Sequence, residues 1–268
     1  RTEEEPFKPF ILLSSPEQLS QFEGAFSPTP LAGDMTSKLM ASFPDVKTYE
    51  AAQKYLKKTP NGPWTFFRDL SQQALLEGKS RLFSGMEFSE LRRLSFDLET
   101  LTTPGYDFPN SDREGDEIVI ISMRDSTGFE LVLSQEDMSE KELIPAFVKT
   151  LAERDPDVIE GHNLCRFDLP YLEARARRHK VKLALGRDGS TFSKRSSRFN
   201  IADRIINYSR YDVWGRHVVD TLHLAMLYDG ANRNLESYNL KYLAKHFRIA
   251  SDERTYVDGS KITELWNS

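Results

Sequence analysis

The stretch Leu94-Ser95-Phe96-Asp97-Leu98-Glu99-Thr100 alternates apolar and polar side chains around two carboxylates. In an extended strand successive side chains point to opposite faces, so Phe96 and Leu98 share one face and the carboxylates share the other. Asp97 and Glu99 therefore repel each other on a mostly buried strand, where a charge is costly to desolvate. Hard oxygen ligands of this kind suit Mg²⁺ or Mn²⁺; a polar strand end facing water is the alternative.

A second segment, residues 157–172, passes from apolar Val158-Ile159 through a polar turn into a predicted helix that begins near Asp168. Asp168 stands just before Leu169-Pro170, and an aspartate in that place is typical of a helix N-cap with proline in the first turn. A metal ligand is the other interpretation. Taken alone, this segment does not decide between the two.

Together, the two segments resemble the first and second exonuclease motifs of family B DNA polymerases. Those motifs read Asp-x-Glu on a strand and Asn-x-x-x-Phe-Asp at the start of a helix. The matching residues in this chain are Asp97, Glu99, Asn163, Phe167 and Asp168. The resemblance continues in the same order over roughly residues 85–268, through the stretches 185–190, 215–222 and 237–243. A lone Asp-x-Glu carries little weight, whereas this ordered set is specific.

The resemblance implies an α/β fold of the ribonuclease-H-like type, in which a mixed sheet is flanked by helices and carries a β-hairpin insertion. It also implies two domains. Residues 1–90 would form a small α+β region that resembles the segment before the polymerase exonuclease, and residues 91–268 would form the 3′→5′ exonuclease domain.

The activity that the resemblance implies is metal-dependent 3′→5′ hydrolysis of phosphodiester bonds at single-stranded DNA 3′ ends. Two Mg²⁺ or Mn²⁺ ions are expected, one to activate water and one to stabilise the leaving oxygen. Asp97, Glu99 and Asp168 are the expected catalytic residues and metal ligands. A polymerase or another replication or repair protein is an expected partner.

Three further residues are expected to contact the substrate, because they stand within or beside the matched motifs. The amide of Asn163 can bind sugar or phosphate, and the ring of Phe167 can stack on a terminal base. Leu101 resembles an apolar residue that wedges against that base. Ordinary packing is the alternative for Phe167 and Leu101.

The third motif of the family, Tyr-x-x-x-Asp, supplies a fourth carboxylate and a water-orienting tyrosine, and we expect it beyond Ser268. The chain begins at Arg1, which favours a portion of a longer protein; loss of the last ligand is the alternative. The spacing does occur in residues 208–212, but in the predicted hairpin before the predicted strand 218–222. Asp220 is expected to have a structural role or to support the ligands.

Two other functions stay open at this stage. One alternative is an inactive nucleic-acid-binding or scaffold module that has kept the fold, and the other is an exoribonuclease. The sequence does not separate DNA from RNA, since that choice depends on contacts to the 2′-OH. An endonuclease of the ribonuclease H type fits less well, because the stretches after the second motif follow the exonuclease family.

Composition fits a globular enzyme, with 268 residues of which 39% are hydrophobic. No stretch approaches the roughly 18 apolar residues of a membrane helix, and the N-terminus does not resemble a signal peptide. The single cysteine, Cys165, fits a reducing compartment. We therefore expect a cytoplasmic protein.

The net charge of −5 argues against a general nucleic-acid coat, but the charge is unevenly spread. Residues 174–216 hold 12 Lys and Arg against 3 Asp and Glu. Such a band, which includes Arg177 and Arg178, could guide a phosphate backbone to an acidic site. A solvated helix face is the alternative.

Overall fold

The computed structural model describes residues 7–59, 61–67, 69–78, 85–201, 204–249, 257 and 261–268. The chain divides into two compact units, Arg1–Met86 and Glu87–Ser268. The prediction that residues 1–90 correspond to a polymerase N-terminal segment stays a prediction. Among the described residues, no helix is long and apolar enough to cross a membrane.

The first unit has a four-stranded antiparallel sheet in the order β2-β3-β1-β4. Its elements are β1 (Phe10–Leu13), β2 (Ser27–Pro30), β3 (Leu39–Ser42), α1 (Val46–Lys58), β4 (Trp64–Thr65) and α2 (Leu70–Glu77). Asp45 caps α1 by accepting a hydrogen bond from the N–H of Thr48. Buried Ile11, Leu13 and Phe43 form part of the core of this unit.

The second unit is built on a mixed five-stranded sheet in the order β11-β8-β5-β6-β7. The strands are β5 (Arg93–Thr100), β6 (Ile118–Asp125), β7 (Glu130–Ser134), β8 (Val158–Gly161) and β11 (His217–Asp220). The helices are α3 (Glu140–Arg154), α4 (Asp168–Arg178), α5 (Thr221–Asn232), α6 (Leu240–His246) and α7 (Ile262–Trp266). β8 pairs in parallel with both β11 and β5, while β6 pairs antiparallel with both β5 and β7. The predicted mixed sheet flanked by helices is confirmed.

The alternation in β5 directs one face of the strand into the core. Leu94, Phe96 and Leu98 are buried, and the ring of Phe96 packs 4.8 Å from the ring of Phe147 on α3. These side chains share a core cluster with Leu169 of α4. Because the apolar face is held against α3 and α4, the intervening residues are turned to the other face of the sheet.

A two-stranded ribbon, β9 (Ser193–Ile201) and β10 (Arg204–Asp212), is inserted between α4 and β11. The predicted hairpin is therefore present, with residues 208–212 on its second strand, whereas the stretch 185–190 lies before its first strand. Residues 202–203 lie outside the described residues. The predicted strand 218–222 is also shorter than expected, because Asp220 caps α5 and Thr221 already begins it.

Candidate active site

The site lies where β8 ends alongside β5. β8 pairs with β5 only as far as Ser95, which lies opposite Glu160. Further along, Oδ1 of Asp168 accepts a hydrogen bond of 3.2 Å from the N–H of Leu98. The carboxylate of Asp168 thus accepts a backbone hydrogen bond from β5 at a position where β8 no longer pairs with that strand. This places Asp168 beside the backbone segment that carries Asp97 and Glu99.

The N-cap interpretation of Asp168 is wrong. Asp168 is the first residue of α4, and the N-cap residue is Phe167, which makes no side-chain capping bond. The side chain of Asp168 turns to β5 and is only 2% exposed. Its long-range partner, 70 residues away in the chain, is a contact that local sequence pattern does not contain.

The electrostatics of the site are those of crowded carboxylates. Burial, together with the charges of Asp97 and Asp220, raises the pKa of Asp168 to about 7, although the hydrogen bond from Leu98 acts in the opposite direction. Burial and the charge of Asp97 also raise the pKa of Glu99, which the charge of Lys241 opposes. The carboxylates therefore lie within electrostatic reach of one another, and a cation between them would relieve their repulsion.

The donor set fits a hard cation such as Mg²⁺ or Mn²⁺, because it consists of carboxylate oxygens in a partly buried place. Across the described part of the chain, however, no group of three or more His, Cys, Asp or Glu side chains converges closely enough to hold a metal ion. The fit thus rests on donor chemistry and mutual repulsion, and Asp97, Glu99 and Asp168 as ligands stay a prediction.

Asp220 fixes the loop that leads into α4. Oδ1 accepts hydrogen bonds from the N–H groups of Asn163 (2.9 Å) and Leu222 (3.0 Å), and Oδ2 accepts one from Cys165 (3.0 Å). Asn163 has a φ of 66°, in the left-handed region that asparagine tolerates better than most residues. Asp220 is 4% exposed, so it serves as an anchor for the loop and as the cap of α5.

The three predicted substrate-contacting residues lie around this loop and the end of β5. Asn163 and Phe167 are half-buried, and the ring of Phe167 lies 5.3 Å from that of Tyr171. Phe167 also packs against the main core, so part of its surface is structural. Leu101 is half-buried directly after β5, and its N–H bonds to the carbonyl of Glu117.

A groove of about 470 Å³ opens over Asp97. Ser95 and Asp97 of β5 line it together with Ser122 and Arg124 of β6 and residues 160–162 at the end of β8. Thr221 and Leu240, the first residues of α5 and α6, complete one wall. The groove makes the Asp97 carboxylate accessible from solvent.

Two residues near the site were not singled out from the sequence. His162 bonds through both ring nitrogens to Thr221 and Tyr238, and Lys241 lies within electrostatic reach of Glu99. His162 stands directly before Asn163, the first residue of the second motif, and this position was a usable signal. Lys241 is 142 positions from Glu99, so no local pattern indicated it.

The loop after β5 is also held by side chains that sequence reasoning missed. Buried Asp116 accepts hydrogen bonds from Thr103, Asn110 and Arg113. Arg175 of α4, 1% exposed, forms an ion pair of 2.7 Å with buried Glu140 and donates to backbone carbonyls of residues 111, 113 and 114. The loop is consequently fixed to α3 and α4.

Fewer cations of the basic band, residues 174–216, are available to a nucleic acid than the charge count indicates. Most of its cations form ion pairs with carboxylates of the same unit, namely Arg175, Arg178, Arg187, Lys194, Arg195, Arg210 and Arg216. Arg177, Lys180, Lys182 and Arg198 are exposed. Asp212, the end of the displaced Tyr-x-x-x-Asp, pairs with Arg195 and Arg210 in the ribbon.

The sequence was compared with known protein families and with individual proteins. The sequence model described as DNA polymerase family B, exonuclease domain, matches residues 75–243. A DNA polymerase of Archaeoglobus fulgidus is 40% identical over 128 residues, which are 48% of this chain and 15% of that protein. One of Pyrococcus glycovorans is 32% identical over 187 residues, 67% of this chain and 22% of that protein. The chain thus spans less than a quarter of the length of either relative.

The structure was compared in the same way with solved structures. The family B DNA polymerase from the hyperthermophilic archaeon Pyrobaculum calidifontis superposes with a TM-score of 0.61 and 21% identity. That match covers 98% of this chain and 38% of the polymerase, and it supports the fold. With the family match over most of the second unit, the chain belongs to the family of DNA polymerase family B exonuclease domains.

Proposed function

We propose that this chain is a metal-dependent 3′→5′ exonuclease that removes nucleotides from single-stranded DNA 3′ ends. The observation that carries the proposal is the buried carboxylate of Asp168 bound to the N–H of Leu98, between Asp97 and Glu99 in the chain. Asp97, which lines the groove, raises the pKa of both Asp168 and Glu99, and crowding of carboxylates is typical of sites that work with a bound cation.

In this proposal Asp97, Glu99 and Asp168 would hold two Mg²⁺ or Mn²⁺ ions. Such ions supply Lewis acidity toward phosphoryl oxygens and charge neutralisation at the leaving oxygen. The N–H of Leu98 orients the Asp168 carboxylate, and Asp220 holds the loop of Asn163 in place. Because the oxygens of Asp220 and Asp212 are already bonded, neither is a good source of a fourth carboxylate.

The proposed substrate is DNA, because the relatives are DNA polymerases. Asn163 would contact sugar or phosphate, while Phe167 and Leu101 would pack on the terminal base. Since the chain spans a small part of each relative, we further propose that it works with a polymerase module or a replication or repair partner.

The test is a gel assay on a 5′-labelled single-stranded DNA oligonucleotide with Mn²⁺. We expect a ladder that shortens from the 3′ end, stops with EDTA and is absent in Asp97→Ala. The RNA oligonucleotide of the same sequence is the matched substrate. Faster cleavage of RNA would replace the DNA assignment by an exoribonuclease, and cleavage that survives Asp97→Ala would remove the site assignment.

A second candidate, a nucleic-acid-binding module without catalysis, is favoured by one observation. No three-ligand group is present in the part of the chain that the structure describes. Binding of the oligonucleotide without cleavage at any Mn²⁺ concentration, by a chain that extends past Ser268 and includes any later Tyr-x-x-x-Asp, would select this function.

A further inference from the structure

The imidazole of His162 joins three separate segments of the second unit. Its Nδ1 lies 3.0 Å from Oγ1 of Thr221, the first residue of α5, and its Nε2 lies 2.8 Å from the carbonyl oxygen of Tyr238. Tyr238 stands two residues before α6, and His162 itself follows β8. The ring is half-buried, so these bonds are partly protected from water.

The bonding pattern requires an imidazole. A carbonyl oxygen only accepts hydrogen bonds, so Nε2 must carry a proton. In the neutral ring Nδ1 then accepts from Thr221, whereas in the charged ring Nδ1 donates and the hydroxyl of Thr221 is left to bond to the carbonyl of Gly161, 3.1 Å away. In both states the ring spans Thr221 and Tyr238.

The segment that His162 holds leads directly into α6. Asn239 caps that helix by accepting a hydrogen bond from the N–H of Tyr242. Lys241, in the first turn, donates from Nζ to the carbonyl of Val257 at 2.8 Å. The charge of Lys241 also acts on Glu99. Only two residues separate Tyr238 from Lys241, so the position of the backbone at 238 limits where the ammonium group can lie.

We propose that His162 is a positioning residue that holds the start of α6, and with it the ammonium group of Lys241, beside Glu99. The effect of this positioning on catalysis rests on the proposed function, since Glu99 is one of the proposed ligands. The positional part does not, because the three hydrogen-bonded segments are features of the fold.

The test is acylation of lysines in the intact chain by an N-hydroxysuccinimide ester, with peptide mass spectrometry as the readout. The ammonium group of Lys241 donates to the carbonyl of Val257, and acylation should be slow because this contact must open first. His162→Phe keeps a ring and removes both bonding nitrogens. We expect the acylation of Lys241 to rise severalfold, while that of Lys245 on the same helix stays unchanged.

Thr221 provides a matched pair of milder variants. Thr221→Val keeps the shape and removes the hydroxyl, so the labelling of Lys241 should rise by less than in His162→Phe. Thr221→Ser retains the hydroxyl and should label like the unmodified chain. Equal labelling of Lys241 in the unmodified chain and His162→Phe would overturn the proposal, as would an equal rise at Lys245, which reports general loosening.

Activity separates this inference from the proposed function. In a chain that cleaves DNA, His162→Phe should lower kcat more than it raises KM, and it should add little to the loss caused by Lys241→Gln, because both act through one group. If the losses of activity in His162→Phe and Lys241→Gln add up in the double variant, His162 does not act through Lys241. If the unmodified chain does not cleave and a chain that extends past Ser268 does not cleave either, the proposed function fails while the labelling still decides the positional inference.

Discussion

At the scale of single residues, Asp168 combines two requirements that oppose each other. Its carboxylate must be buried to reach the N–H of Leu98, and it must be ionised to serve as a ligand. Burial and the neighbouring charges favour the protonated form, which raises its pKa to about 7. The folded chain therefore carries a charge that it accommodates poorly unless a cation is bound.

This has a consequence for stability that an isosteric variant tests. The pKa of Asp168 is higher in the folded chain than its ordinary 3.8. The contribution of this carboxyl group to the free energy of unfolding is therefore full below about pH 4 and is lost as the pH rises through 7. Asp168→Asn keeps an oxygen that accepts from Leu98 and removes the charge. In EDTA at pH 8 we expect it to raise the free energy of unfolding by on the order of 3 kcal/mol.

Urea unfolding at pH 5 and pH 8 is the measurement. The difference in unfolding free energy between the two chains should be much larger at pH 8 than at pH 5. Activity should be lost at either pH. An Asp168→Asn chain that is no more stable than the unmodified one at pH 8 would contradict the assigned environment.

Asp97 is exposed in the groove, so its replacement should affect chemistry with little effect on folding. We expect Asp97→Ala to lower the cleavage rate by roughly 100-fold or more, because it removes one of the proposed metal ligands. The melting temperature should change little. A matched surface control is Asp137→Ala, which should cleave like the unmodified chain; equal rates in both variants would exclude Asp97 from the site.

At the scale of elements, the end of α3 is fastened to the β6–β7 turn by one carboxylate. Asp125 accepts hydrogen bonds from Thr127 and Phe129 in the turn and from Arg154 on α3. Burial alone would raise its pKa, but these bonds outweigh burial and lower it to about 2. The contribution to stability is therefore present above about pH 4 and is lost as the pH falls toward 2.

Asp125→Asn should accordingly destabilise the chain by about 2 kcal/mol at pH 7. The cost should shrink as the pH falls below 4, which is opposite in sign to the effect of Asp168→Asn. Chemical unfolding between pH 3 and pH 7 measures it. A cost that does not vary with pH would mean that the turn is held by backbone geometry alone.

The exposed end of α4 is the part of the basic band most open to a nucleic acid. Arg177 is exposed, and Arg178 contacts Glu114 at 3.6 Å with that carboxylate 91% exposed. The double variant Arg177→Gln/Arg178→Gln should weaken binding to single-stranded DNA. It should also reduce the slope of log K against log salt by about 1 to 1.5.

The matched control changes two lysines of α3, Lys141→Gln and Lys149→Gln, which alters net charge by the same amount on another helix. Binding titrations over a range of NaCl concentrations give both slopes. Equal slopes of log K against log salt in the two double variants would mean that Arg177 and Arg178 form only a solvated helix face.

Sequence reasoning found those elements whose pattern is local. The helical spacing of apolar residues over 140–152 predicts α3 (Glu140–Arg154). The apolar runs 117–123 and 129–133 around a turn predict the pair β6 and β7, with small shifts at the ends. Sequence reasoning failed where the partner is distant in the chain. The partner of Asp168 on β5, the pairing of Arg175 with Glu140 and the bonds of His162 depend on tertiary contacts that periodicity does not encode.

At the scale of the whole molecule, each unit has its own cluster of buried apolar side chains. The cluster of the second unit extends from Leu94 to Val213, with Val218 packed against it, and that of the first from Ile11 to Leu56, with Trp64 and Leu70 packed against it. A chain that begins at residue 87 should thus fold by itself and unfold in one cooperative transition. Circular dichroism during thermal unfolding measures this; a broad, non-cooperative transition would show that residues 1–86 are needed.

The hydrogen bond between Leu98 and Asp168 makes one backbone amide a built-in sensor. The N–H of Leu98 donates its hydrogen bond to Oδ1 of Asp168. The amide chemical shift of Leu98 in a ¹⁵N-labelled sample should therefore follow the ionisation of that carboxylate. Titration with acid and titration with Mg²⁺ should move the resonance to different positions, since a covalent proton and a bound cation change the carboxylate oxygen to different extents. A single peak can therefore report whether the centre is empty, protonated or loaded, without any nucleic acid present.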